Sequence, residues 1–255
     1  MYYFVTGGSR GIGAAIVKHA AETGNHVAFT YVANQESAER SRQAALAAAR
    51  EAGYGDSDVQ VRCYQLDVKD AEQVEAVADK VLDEFETMEV IVNCAAVNRD
   101  NLVVSMSNEE WREVMATNLD GPFYVCRQFM QTLIANRFGR IINISSIQHN
   151  GGTGQANYAA AKAGLHGLTK TLAKEYGRRG ITANVIVPGF FDTDMTRETM
   201  PQVNKDYWKQ YCPMPKGRMG KVEELAAVVE FLAGEGGAFI NGEVINVTGG
   251  LGWTY

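Results

Sequence analysis

The chain has 255 residues, of which 46% are hydrophobic and 21% charged, with a formal net charge of −6. That length can bury a sizeable core and still form a single domain, and the composition is that of an ordinary globular protein, which excludes disordered and collagen-like classes. The acidic balance argues against a nucleic-acid partner, and no apolar run reaches membrane-spanning length, so no membrane partner is expected either.

Met1-Tyr2-Tyr3-Phe4-Val5 lacks a basic leader and runs straight into a glycine loop, so it reads as a first strand and not a signal peptide. From there strand and helix patterns alternate: strand 3–6, helix 12–22, strand 26–31, helix 36–52, strand 59–67, helix 71–86, strand 90–93, helix 108–136, strand 140–145, helix 157–176, strand 182–187, helix 222–233 and strand 243–247. This alternation predicts βαβ crossovers and an α/β fold: a single-domain, Rossmann-type, doubly wound and mostly parallel sheet of seven strands flanked by helices. Leu165, Leu168 and Leu172, and likewise Leu225, Val228, Val229 and Leu232, recur at helical spacing and are expected to face the core. The stretch 188–220 carries four of the five prolines and is expected to be an irregular substrate lid at the carboxyl end of a strand. Cys63, Cys94, Cys126 and Cys212 show no metal-ligand spacing, so free thiols in a reducing cytoplasm are expected. Asp192 and Asp194 lack further ligands, and no metal is expected there.

Gly7, Gly11 and Gly13, with Ser9, Arg10 and Ile12 among them, follow a strand and open a helix. Glycine lets the backbone turn sharply and approach a pyrophosphate, whose charge the helix amino terminus favours. No acidic residue ends the second strand in Val27-Ala28-Phe29-Thr30-Tyr31-Val32, and Arg10 can pair with a ribose 2′-phosphate. NADPH is therefore the expected cofactor. Tyr158 and Lys162 stand four apart on a helix, where both can reach one cleft and the ammonium would favour ionising the phenol.

The glycine spacing, Tyr158, Lys162 and the preceding Ser145-Ser146 resemble the short-chain dehydrogenase/reductase family over essentially the whole chain. The resemblance extends to Asp67-Val68 as an adenine-contacting pair, to Asn93 after its strand, to Asn118 in its helix, and to Pro188-Gly189 with Thr193 beside the nicotinamide. It implies carbonyl reduction in which Tyr158 gives a proton, Lys162 tunes the phenol and binds ribose, a serine holds the carbonyl oxygen, and Asn118 orders a relay water. Alignment of the strand places the serine's role on Ser146, whereas counting back from Tyr158 selects Ser145. Ala96 stands where the family has a glycine, and Cys94 replaces a more usual small or amide residue.

Within the family, residues 154–164 and 187–195 are most similar to 3-oxoacyl-(acyl-carrier-protein) and acetoacetyl-CoA reductases. This implies reduction of a β-keto acyl thioester, with acyl-carrier protein or acyl-CoA as partner and with Arg137 and Arg179 offered to an acidic carrier. A reductase of another small ketone, sugar, steroid or polyketide shares every catalytic residue; a non-catalytic NADPH-binding scaffold has no need of them. The resemblance and the apolar ending 247–255 also imply a homotetramer assembled through 108–136, 157–176 and the last strand.

Overall fold

The computed structural model describes residues 1–193, 196–197, 200 and 202–252. Seven strands form one sheet: β1 (Tyr2–Val5), β2 (His26–Tyr31), β3 (Val61–Gln65), β4 (Val90–Asn93), β5 (Gly139–Ile144), β6 (Ile181–Pro188) and β7 (Val244–Val247). Their order is β3-β2-β1-β4-β5-β6-β7, and every neighbouring pair is parallel. The helices are α1 (Gly11–Glu22), α2 (Gln35–Glu51), α3 (Ala71–Phe85), α4 (Asn108–Met115), α5 (Gly121–Asn136), α6 (Ala156–Tyr176), α7 (Gln202–Tyr211) and α8 (Val222–Ala233). This is the single-domain Rossmann-type arrangement that the alternating pattern predicts.

Successive strand residues point to opposite faces, and the register lines up each face. Tyr3 pairs with Val90 and Val5 with Val92 on one side, whereas Phe4 pairs with Ile91, and Ile91 with Ile141, on the other. The first set packs with Ile16, Val17, Ala45, Leu225, Val229 and Leu232 of α1, α2 and α8. The second packs with Val74, Val81, Val125, Phe129, Leu133 and Leu172 of α3, α5 and α6. Two dry cores therefore sandwich the sheet. The chain winds outward from β1 to β3, then returns across to β4, so the carboxyl ends of β1 and β4 open a crevice at the point of reversal.

Three expectations change in detail. The third strand is confined to Val61–Gln65 within the expected 59–67. Residues 108–136 are helical throughout, but Ala116–Asp120 forms a π-turn between α4 and α5. Pro122 explains it: an α-helix needs the residue-122 N–H for the Asn118 carbonyl, and proline has none while its ring crowds that oxygen. Finally, the stretch expected to be irregular contains α7, whose Val203, Tyr207 and Tyr211 repeat at helical spacing. Trp208 pins α7 down: it is 1% exposed, packs with Cys212 and Leu251, and donates through Nε1 to the Arg218 carbonyl at 3.0 Å. Asp194, Met195 and the terminal residues 253–255 lie outside the described residues, as does part of the expected lid.

Phe129 is fully buried and its ring centroid lies 4.7 Å from that of Phe4. Phe129→Ala should cost about 3–5 kcal/mol in urea unfolding, and a loss under about 1 kcal/mol would contradict this packing.

Candidate active site

A cleft of about 1040 Å³ runs across the carboxyl edge of the sheet, from the glycine loop to the start of α6. Its floor is fixed by Thr6 at the end of β1, whose Oγ1 accepts from the Cys94 and Ala95 amides at 3.0 Å each. Gly7 adopts φ 70°, a left-handed conformation costly for other residues. A Cβ at Gly13 would stand 2.2 Å from the Gly7 carbonyl oxygen, so only glycine lets α1 begin this close to β1. Arg10 precedes α1 in extended conformation without capping it by its side chain, and no acidic residue occupies the first turn. The amino terminus of α1 thus presents open N–H groups and a positive dipole to the cleft.

Ser9, Arg10, Gly11, Ile12 and Gly13 line the cleft together with Tyr31, Val32, Asn34 and Ser37 from the end of β2 onward. Arg10 is exposed, and no ion pair to it occurs among the described residues. Glu36, at the start of α2, pairs with Arg40 instead, at 2.5 Å. Asp67 and Val68 line the middle of the cleft, with Asp67 held 3.0 Å from Lys69. Pro188, Gly189 and Thr193 close the far wall, and Thr193 faces the bare Cα of Gly11 across the cleft.

At the reactive end, α6 projects Tyr158 and Lys162 from consecutive turns, with the ammonium 5.6 Å from the Tyr158 ring centroid. The start of α6 is anchored by Asn157, whose Nδ2 donates to the Arg99 and Glu110 carbonyls at 3.0 and 3.2 Å. Ser146 lines the cleft beside the Tyr158 phenol, whose proton affinity it lowers, and accepts from the Gln148 amide at 3.2 Å. Ser145 turns away from that phenol: it is 2% exposed and donates to the Lys162 carbonyl at 3.0 Å.

The electrostatics differ from those expected of a Tyr–Lys pair. Burial pushes the Tyr158 phenol up to about 12, opposed by Ser146 and assisted by Cys94 and Asp100. The Lys162 ammonium, 5.6 Å from the ring centroid, does not offset the burial. The ammonium donates instead to the Ile144 carbonyl at 2.8 Å, and burial pushes it down to about 8. Desolvation thus outweighs the attraction between the two side chains, and the phenol keeps its proton at neutral pH.

Two expected site residues do not line the cleft. Asn93 is 3% exposed, and its Nδ2 donates to Asn143 Oδ1 at 2.8 Å, tying β4 to β5 from within the sheet. Asn118 is fully buried; its Oδ1 accepts from the Val97 amide and its Nδ2 donates to the Val97 carbonyl, both at 2.9 Å. Its side chain is spent on shaping the loop after β4. Pro122 withholds the N–H that an α-helix would offer the Asn118 carbonyl. Sequence reasoning also missed Asn98, Asp100, Gln148 and Gln155, polar residues that line the reactive end. They sit in loops with no periodic signal.

Residues 7–252 match the family described as Enoyl-(Acyl carrier protein) reductase. The chain is 42% identical to the 3-oxoacyl-(acyl-carrier-protein) reductase of Chlamydia trachomatis over 97% of its own length and 95% of that protein's. It is 40% identical to the Escherichia coli K12 reductase of the same name, with the same coverage. Among solved structures, levodione reductase superposes with a TM-score of 0.88 at 30% identity, covering 98% of this chain and 97% of the other. With a parallel seven-stranded sheet, a glycine loop at its point of reversal and Tyr158, Lys162 and Ser146 gathered at one end of the cleft, the chain belongs to the short-chain dehydrogenase/reductase family.

Proposed function

We propose that the chain is an NADPH-dependent ketoreductase that converts a β-keto acyl thioester, carried on acyl-carrier protein or CoA, into the β-hydroxy thioester. The observation that carries this reading is Ser146 beside a phenol that burial keeps protonated, inside a cleft with a glycine cradle at its other end. The relatives named for this reaction, alike along nearly the whole chain, support the substrate class.

The residues fit the cofactor. The glycine cradle and open α1 amino terminus suit a pyrophosphate, and Arg10, with no carboxylate partner among the described residues, suits a 2′-phosphate. When bound, NADPH supplies the hydride. Ser146 then holds the ketone oxygen, and Tyr158 donates its phenolic proton as negative charge develops there. Lys162, charged below about pH 8, can exchange its Ile144 contact for the ribose. The Asn118 main-chain carbonyl holds the water that returns a proton toward Lys162. Phe190, Met200, Val203 and Asn204 give the acyl chain a partly apolar wall, and the stretch 188–220 acts as the lid, hinged on the Trp208 anchor.

Carrier docking is constrained by the fold. Arg137 and Arg179 are exposed and flank the start of β5 and β6, where Gly139 N donates to the Gly180 carbonyl at 3.4 Å. That is the amino end of the sheet, about 20 Å from the cleft at six residues per strand. An acidic carrier held there has to reach around the sheet or serve the cleft of another copy. We infer a homotetramer, supported by exposed Trp111, Phe123 and Phe239 on the outer helices and beyond α8.

Loss of NADPH absorbance with acetoacetyl-CoA tests the reading directly, and Tyr158→Phe and Ser146→Ala should each lower kcat by about 10²-fold or more. Near-normal turnover in Ser146→Ala would transfer the role to Ser145. Arg10→Ala should shift the ratio of NADPH to NADH activity toward NADH by about tenfold or more; an unchanged ratio contradicts the phosphate contact. Because Lys162 loses its charge as pH rises through about 8, kcat/KM should be level from about pH 6 to 7.5 and fall above it. A level profile to about pH 10 would remove the lysine from the reaction.

A further inference from the structure

Behind the reactive end lies a pair of histidines that the proposed chemistry does not use. His149 belongs to the short 3-10 turn Ile147–Asn150 after β5, and His166 stands one turn beyond Lys162 on α6. Their ring centroids are 4.4 Å apart and inclined at 47°. His149 Nδ1 lies 2.7 Å from the Ser146 carbonyl oxygen, and His166 Nε2 lies 3.3 Å from Ser145 Oγ. Neither ring lines the cleft, so neither can touch substrate.

The hydrogen bonds fix both tautomers. A carbonyl only accepts, so His149 must carry its proton on Nδ1. The single Ser145 hydroxyl proton goes to the Lys162 carbonyl at 3.0 Å, so His166 must donate from Nε2. One ring therefore holds the main chain of the serine that contacts Tyr158. The other holds the preceding serine and, through it, the turn of α6 that carries Lys162. The surroundings favour a neutral His166 ring: the titratable groups acting on it are His149 from the 3-10 turn and Lys170 from its own helix, both disfavouring a second proton. Toward β6 the turn packs Ile147 on Val185 and Val187. Burial, more than either charge, pushes His166 down to about 4.

We propose that His149 and His166 form a positioning couple that sets Ser146 against Tyr158 and locks it to the Lys162 turn of α6. This rests on the ketoreductase reading for its effect on turnover, but the two can fail separately. Nitrogen-15 spectra of histidine-labelled full-length chain at neutral pH should show His149 protonated on Nδ1 and His166 on Nε2, whether or not any ketone is reduced. With NADPH and acetoacetyl-CoA, His149→Phe and His166→Leu should each lower kcat at least tenfold while the KM for NADPH stays within twofold. His149→Asn and His166→Asn, which keep a side-chain N–H, should recover most of that loss. NADPH fluorescence titration checks that each variant is folded. Opposite tautomers in the unmodified chain would overturn the couple, as would kcat within twofold in the Phe and Leu variants, or Asn variants no better than the apolar ones. A chain that shows these tautomers and binds NADPH yet reduces no β-keto thioester would sink the ketoreductase reading and leave the couple standing as the geometry of the serine turn.

Discussion

Parallel strands all end on one side, and where the order reverses between β1 and β4 no crossover helix covers their last backbone groups. The rest of the structure is organised around that uncovered edge. Thr6 turns its hydroxyl to the amides of the loop after β4, which keeps the glycine loop and the Cys94–Val97 segment at a fixed separation. The absence of a side chain at Gly13 lets α1 aim its amino terminus into the gap. On the other bank, β5 stops at Ile144, and the two serines that follow divide the work by the ordinary alternation of an extended chain: Ser145 turns into the protein, Ser146 toward the phenol.

Electrostatics at this edge is governed by desolvation. A lysine four residues from a tyrosine invites the expectation of an acidified phenol, yet the charge is directed at the Ile144 carbonyl, and burial moves both groups toward their neutral forms. For a reductase that is the useful sign, because the group that must deliver a proton still holds it at neutral pH. Cys94, half-buried in the same cleft and itself pushed up to about 11 by burial, stands there as a neutral thiol.

Much of this was legible in the residues. The alternation of β-branched runs with helical stripes gave seven strands in the right places, and the glycine loop, Arg10, Ser146, Tyr158 and Lys162 all reach one cleft. What escaped notice depended on tertiary context. Asn93 and Asn118 match family positions, but whether an amide faces a cleft or stitches backbone together is decided by neighbours distant in sequence, here Asn143 and Val97. The π-turn had a local cause in Pro122, which reads equally well as a residue tolerated in a first helical turn. Helix α7 was hidden because its apolar residues are few and its one deeply buried side chain, Trp208, packs against the far end of the chain. Arg137 and Arg179 are exposed, and the strand direction places them at the amino end of the sheet, away from the cleft.

The central claim is that burial, and not the neighbouring ammonium, sets the proton affinity of Tyr158. Carbon-13 labelling of tyrosine Cζ, assigned with Tyr158→Phe, would follow that phenol through a pH titration of the cofactor-free chain. The account predicts ionisation well above the ordinary phenol range, toward about 12. Ionisation below about 9 would show Lys162 in command, and would contradict it.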